Sequence, residues 1–260
     1  MGGDGEAGFV YKVERFCVHD GPGIRTLFYF RGCPLGCLWC CNPESRTLGP
    51  IRGEDEFLMW KQPVGVQRLV ELACRDVAYY RSSGGGVTLT GGEALAQPEF
   101  AANLLRKMRE RGIHTAMETS GHAGDEAVET VLPHLDMVLL DIKHMDDGRH
   151  KALTGFGNAR ILSNARKIHD AGVPMTIRVP LIPGHNDREE DLRALGEFVW
   201  SALPAVKTLC VLGYHNYAVN KYLAMGLDYP LGDLPPASEE RITRAAETLK
   251  RYVEEVRMGG

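Results

Sequence analysis

Three cysteines, Cys33, Cys37 and Cys40, stand within one short loop at 31–45 with the spacing C-x3-C-x2-C. Thiolates this close along a chain can hold three corners of an iron–sulfur cube, which ordinarily takes four cysteines. One iron then lacks a protein ligand. An open iron can bind a small molecule and pass it an electron, so the pattern points to a catalytic cluster rather than a closed structural one. Zinc fits worse: structural zinc takes four protein ligands, usually in paired knuckles, and no second knuckle follows at the usual distance. A disulfide framework also fits badly. Seven cysteines in 260 residues is an odd and sparse set, and the opening Met1-Gly-Gly-Asp-Gly-Glu does not read as a secretory signal.

A loop of this kind needs a scaffold, and the chain alternates apolar runs with helical patterns. Strands are expected at 26–30, 87–90, 115–118, 137–140, 175–179 and 208–212, as near-continuous apolar runs that suit parallel strands buried on both faces. Apolar residues at three- and four-residue spacing predict helices over 66–81, 99–111, 125–134, 159–171 and 188–201, with a last helix over about 238–257. Pro98 suits a first helical turn, and Gly112 and Gly172 suit helix ends. Six strand–helix repeats imply right-handed parallel winding. Six units fall short of a closed eight-stranded barrel, so the expected class is α/β, a partial (β/α)6 TIM-like barrel. No linker or low-complexity tract interrupts it, and residues 1–260 read as a single domain.

Polar and glycine residues gather where each strand ends. The cysteines, Gly91-Gly92-Glu93, Glu118 with Thr119, Asp141 with Lys143, Arg178 and His215 all follow or close a predicted strand. In barrel-like α/β folds that edge is where active sites are built. The composition is that of an ordinary soluble protein, with 44% hydrophobic and 25% charged residues. A formal net charge of −4 gives no electrostatic case for nucleic acid. No apolar run approaches a membrane span. The expectation is a reduced, cytoplasmic protein without nucleic-acid or membrane partners, in an anaerobic setting because an open iron is oxygen-labile.

The cysteine loop followed by Gly91-Gly92-Glu93 resembles the radical S-adenosylmethionine (SAM) enzymes. Within them the chain is similar to the glycyl-radical-enzyme activating enzymes. The closer marks are His19-Asp-Gly-Pro-Gly-Ile-Arg25, Cys41-Asn-Pro-Glu-Ser45, Thr90-Gly-Gly-Glu93, Glu118-Thr-Ser-Gly121, Asp141-Ile-Lys143 and Tyr214-His-Asn-Tyr-x3-Lys221-Tyr222. Many relatives with Cys-Asn-Pro-Glu-Ser carry a ferredoxin-like insert with further cysteines. Here 46–87 holds only Cys74, so the chain resembles the short form, as in pyruvate formate-lyase activators.

The resemblance implies a [4Fe-4S] cluster on Cys33, Cys37 and Cys40, with SAM as the second cofactor. SAM would chelate the open iron through its amino and carboxylate groups. One electron would then cleave its sulfonium to methionine and a 5′-deoxyadenosyl radical, and that radical would take a hydrogen atom from a glycine of a partner glycyl radical enzyme. A flavodoxin or ferredoxin would donate the electron. The cofactor does the hard chemistry while the protein orients and shields it.

On this reading Gly91 and Gly92 let backbone approach the methionine end, and Glu93 accepts from its ammonium or braces the turn. Trp39 shields the cluster and touches adenine, with a core tryptophan as the rival. Asp141 and Lys143 contact ribose, carboxylate or a cation, with a structural salt bridge as the rival. Arg178 pairs with a carboxylate, and His215 borders ribose or adenine. Glu118, Thr119 and Asp141 would form a sodium or potassium site. The loop Asp20, Gly21, Pro22, Gly23 would grip the incoming glycine peptide, with a plain turn as its rival. Cys17, Cys41, Cys74 and Cys210 are read as packing residues. Two other functions compete: a radical SAM enzyme acting on a small molecule, like the deazapurine synthases, and an electron carrier or metal-binding module without catalysis. The chain is expected to be a monomer, since the open face must dock a large protein.

Overall fold

The computed structural model describes residues 5–48 and 59–259. In chain order the elements are β1 (Ala7–Gly8), β2 (Val10–Cys17), β3 (Arg25–Phe30), β4 (Val64–Gly65), α1 (Val66–Cys74), α2 (Val77–Ser83), β5 (Gly86–Gly91), α3 (Pro98–Arg109), β6 (His114–Thr119), α4 (Asp125–Val131) and β7 (Met137–Asp141). They continue with α5 (Asp147–Thr154), α6 (Ala159–Asp170), β8 (Met175–Leu181), α7 (Glu189–Ala202), β9 (Thr208–Gly213), α8 (Val219–Ala224), α9 (Glu239–Leu249) and β10 (Glu255–Met258). The fold is α/β, and its strand–helix order is that of the expected partial barrel. All six predicted strands are present, as β3 and β5 to β9, each within two residues of its predicted bounds.

The chain forms two compact units. The first comprises Met1–Pro34 and Glu44–Leu139, the second Leu35–Pro43 and Leu140–Gly260. In the first, β2 runs antiparallel to β3, β3 parallel to β5, and β5 parallel to β6. Val87, Thr88 and Leu89 of β5 are all fully buried, which is why their pattern does not alternate. Leu69 of α1 and Leu104, Leu105 and Met108 of α3 are fully buried in the same unit, at the helical spacing that identified both helices. Predicted helix 66–81 breaks into α1 and α2 at Arg75 and Asp76. Asp76 is buried and accepts from Arg15 Nε at 2.7 Å and Thr26 Oγ1 at 3.1 Å, so it serves tertiary contacts instead of a helix interior.

In the second unit β8, β9 and β10 are consecutive parallel neighbours. Two short helices there were not anticipated. Asp147–Thr154 carries only one buried aliphatic, Leu153, and is set instead by its cap, with Asp146 Oδ1 accepting from Arg149 N at 2.7 Å. The six-residue α8 is too short to show a period.

The last predicted helix, 238–257, needs correction. It stops at Leu249, its last buried apolar residue, and Glu255–Met258 forms β10 instead. The backbone there gains a parallel ladder on β9, with Val256 opposite Leu209, which no helix could offer. The cysteines also divide: Cys210 is buried, but Cys41 and Cys74 are exposed, because the first follows a turn and the second ends α1 on its outer face. Burial pushes the half-buried Cys17 thiol up to about 11. All seven cysteines are thiols. Among the described residues no helix is long and apolar enough to cross a membrane.

Candidate active site

In the first unit the main chain at the end of β5 is stapled to the start of the cysteine loop. Gly92 N donates to Phe30 O at 2.9 Å and Glu93 N to Gly32 O at 2.7 Å. Gly32 N and Cys33 N donate to Ser45 O and Arg46 O, so both ends of the 31–45 loop are tied together. The two glycines are required by this closeness. A Cβ on Gly91, at φ +101°, would stand 2.8 Å from Phe30 N, and one on Gly92 would stand 2.6 Å from Gly32 O. Their contact is with β3 and the cysteine loop.

Glu93 is 1% exposed, and its four acceptor positions are engaged within the unit. Oε1 accepts from Thr119 Oγ1 at 2.6 Å and Leu95 N at 3.2 Å; Oε2 accepts from Ser120 N at 2.9 Å and Ser120 Oγ at 2.6 Å. Of the two expected roles, bracing the turn is the one its hydrogen bonds perform. Burial raises its pKa, and the Ser120 and Thr119 donors oppose that rise. Thr119 Oγ1 also accepts from Gly121 N at 2.9 Å, and Glu118 Oε2 accepts from Thr90 Oγ1 at 2.6 Å. The sequence named Glu93 and Thr119 but assigned no part to Ser120, whose only signal was its place in the Thr-Ser-Gly string after β6.

The loop 20–23 stands elsewhere. It precedes Arg25, which is in register with Gly86, while the Gly91 turn adjoins Phe30 at the other end of β3. Five residue steps of strand make that separation roughly 17 Å. Its carbonyls are turned inward: Thr88 Oγ1 donates to Asp20 O at 2.7 Å and Arg25 Nη1 to Pro22 O at 2.9 Å. A Cβ on Gly23 would strike Gly85 N at 2.5 Å. The two hydrogen bonds brace β3 against β5, and the loop's grip on a partner peptide stands as a proposal. Arg25 itself is fully buried, and burial lowers its pKa to about 10, which leaves it a cation at neutral pH.

The second unit gathers the charged set. Asp141, closing β7, accepts from Lys143 Nζ at 2.7 Å through Oδ2, and Arg178 Nε lies 3.6 Å from Oδ1. Asn186, 4% exposed, ties the turns that carry them. Its Oδ1 accepts from Ile182 N at 2.7 Å, and its Nδ2 donates to Lys143 O at 2.9 Å and Pro180 O at 2.6 Å. Ile142 N donates to Arg178 O at 3.0 Å. Sequence reading missed Asn186; the Pro-Gly-His-Asn string after β8 marks a turn but not its reach. His215 follows β9 beside Tyr214, whose N–H donates to Leu181 O at the end of β8 at 3.0 Å. Its ring stacks on Tyr217 with centroids 4.3 Å apart, and burial lowers its pKa.

Cys37, Trp39 and Cys40 belong to this second unit, and Cys33 to the first. Gly36 N and Leu38 N donate to Thr154 O and Leu153 O, strapping the loop to the end of α5. A tight turn, Cys40 N to Cys37 O at 3.1 Å, sets the second and third thiols. Trp39 is buried at 7% exposure. Among the described residues no three His, Cys, Asp or Glu side chains are already gathered as a metal centre. The fit to a cluster therefore rests on the donor chemistry: three thiols within eight residues, on a loop with fixed ends. The proposed cation ligands are each engaged inside their own unit, Glu118 with Thr90, Thr119 with Glu93, and Asp141 with Lys143.

Comparison with known proteins agrees with this reading. The family model described as "Radical SAM superfamily" matches residues 27–196. The chain is 36% identical over 247 residues to the pyruvate formate-lyase-activating enzyme of Clostridium pasteurianum, covering 95% of this chain and 99% of that one. It is 34% identical over 294 residues to the choline trimethylamine-lyase activating enzyme of Oleidesulfovibrio alaskensis, covering 94% and 95%. That second alignment is longer than this chain's 260 residues, so that relative carries insertions absent here. A solved domain of a pyruvate-formate lyase-activating enzyme from Bacteroides vulgatus superposes with a TM-score of 0.57 at 31% identity, covering 68% of this chain and 99% of that one.

Proposed function

The chain belongs to the radical SAM superfamily, and from that premise we propose that it is the activating enzyme of a glycyl radical enzyme. The observation that carries this is its likeness, over nearly its whole length, to activating enzymes of both the short and the insert-bearing kind. The small-molecule alternative has no comparable support. Its cofactors are a [4Fe-4S] cluster and SAM.

Cys33, Cys37 and Cys40 would hold the cluster. When bound, the cluster supplies the single electron that splits SAM into methionine and a 5′-deoxyadenosyl radical, which takes a hydrogen atom from the partner's glycine. The protein's task is to bind, orient and shield. Gly91 and Gly92 present main chain to the methionine end, and Glu93 keeps that turn rigid. Lys143 and Arg178 exchange part of their contact with Asp141 for the ribose hydroxyls and carboxylate of SAM. His215 borders the ribose or adenine, and Trp39 covers the cluster side. Glu118, Thr119 and Asp141 are the ligands we assign to a monovalent cation. A flavodoxin or ferredoxin is the proposed electron donor, the cytoplasm of an anaerobically growing cell the proposed setting, and a single radical SAM domain the proposed unit of folding.

The test is anaerobic reconstitution with iron and sulfide, followed by reductant and SAM. Methionine and 5′-deoxyadenosine are expected in equal amounts. Adding candidate glycyl radical enzymes one at a time should give the doublet of a glycyl radical with one of them, which identifies the partner. A reconstituted protein that leaves SAM intact overturns the proposal.

A further inference from the structure

Two strings that support the family resemblance have no part in the chemistry above: Asn42 in Cys41-Asn-Pro-Glu-Ser45, and Lys221 in Tyr214-His-Asn-Tyr-x3-Lys221-Tyr222. The structure joins them. Lys221 Nζ donates to Cys41 O at 2.9 Å and to Asn42 Oδ1 at 3.1 Å, across some 180 residues of sequence. We propose that Lys221 is a positioning residue of the cluster loop, pinning its outgoing end and holding a fixed positive charge beside Cys40 that favours the reduced cluster. This rests on the cluster reading above.

The geometry suits a fixed charge better than a casual surface contact. Lys221 lies on α8 next to Tyr222, which is 2% exposed and packs edge-on against Tyr229 with centroids 5.1 Å apart. Leu227 N returns to Tyr222 O at 2.9 Å, closing the helix end over that ring. The helix is thus anchored one residue from the lysine. One acceptor is the main-chain carbonyl of the residue bonded to Cys40, so movement of that peptide moves a cluster ligand. The incoming side of the loop already has its own ties, Gly36 to Thr154 and Leu38 to Leu153. On the outgoing side Lys221 ties Cys41 and Asn42, just ahead of the Ser45 and Arg46 carbonyls that accept from Gly32 N and Cys33 N. Reduction adds a negative charge to the cluster, and its potential follows the net charge and hydrogen bonds around it. A lysine is a compact point charge with three donors, suited to two oxygens at once.

Three variants separate pinning from charge: Lys221→Met removes both, Lys221→Gln keeps a donor without the charge, and Lys221→Arg keeps the charge. Each is reconstituted anaerobically, and the reduced fraction is read by electron paramagnetic resonance at one fixed solution potential. Iron release to a chelator is timed in parallel. At the midpoint of the unsubstituted protein the reduced-to-oxidised ratio should fall roughly five- to tenfold in the Met and Gln variants and recover in the Arg variant. Iron release should be faster in the Met variant than in the Gln or Arg variants. A ratio unchanged in both the Met and Gln variants overturns the charge. Equal iron-release rates across all four proteins overturn the pinning. Should the Met variant not fold, the Gln and Arg pair alone decides the charge, and Asn42→Ala, which removes one acceptor, decides the pinning. Unsubstituted protein that takes up no cluster overturns the proposed function itself; variants that match an unsubstituted protein cleaving SAM overturn only this inference.

Discussion

The Gly-Gly-Glu turn of the first unit, with one charged candidate, and the Asp141 set of the second, with three, are built on opposite principles. The Glu93 carboxylate is filled by four neutral donors from Leu95, Thr119 and Ser120. Asp141 is filled by Lys143, with Arg178 near, all three being themselves candidates for ligand contact. The first arrangement is complete without any ligand. The second is a set of charges drawn together, with Arg178 Nε 3.6 Å from Asp141 Oδ1, from which an incoming carboxylate would take a partner on the proposed reading. Residues that look equally functional in sequence thus divide into those that shape the turn and those that can change partners.

Breaking the first arrangement should have the largest effect. Glu93→Gln turns an amide NH2 toward hydroxyls and N–H groups that already donate, so buried donors face each other. A loss of about 2–4 kcal/mol of unfolding free energy is expected by denaturant titration, with SAM cleavage falling alongside. Asn186→Ala comes next. It orphans the buried Ile182 N–H and two carbonyls, for about 2 kcal/mol by the same titration. It should also raise the SAM concentration needed for half-maximal cleavage, because Lys143 loses its main-chain tie. Lys143→Met sharpens the contrast: stability should change little, whereas the KM for SAM should rise about tenfold, equivalent to about 1.4 kcal/mol. If this variant instead unfolds like Glu93→Gln, the distinction between the two arrangements is wrong.

The smallest effect is on acid stability. Arg15 holds the buried Asp76 carboxyl below its ordinary value of 3.8. The unfolded chain therefore binds that proton more readily than the native one. The contribution is present above the ordinary carboxylate value and is lost as the pH falls through the depressed one. Asp76→Asn should flatten the acid limb of the stability curve by no more than about 1 kcal/mol, since Arg15 is largely exposed.

The six strands were legible because strands such as Val87 to Leu89 are apolar or buried throughout, a signal that needs no partner to be read. Residues such as Val256 and Met258 were not, because their strand exists only through the ladder it finds on β9. In the site the same division holds. Cys33, Gly91 and Asp141 carry their meaning in local spacing. Asn186 and Lys221 act on main chain 43 and about 180 residues away, and nothing local in either string announces that reach. The text of the 20–23 loop is equally distinctive, but its contacts with Thr88 and Arg25 are tertiary and not legible in it.

β10 also has a protective side. An activator that meets extended peptide would be vulnerable if β9 offered a bare rail of main-chain donors and acceptors to any passing segment. Glu255–Met258 covers that rail with four residues whose outer rim bears the Glu255–Arg257 ion pair, a short and charged selvage that discourages stray strand addition.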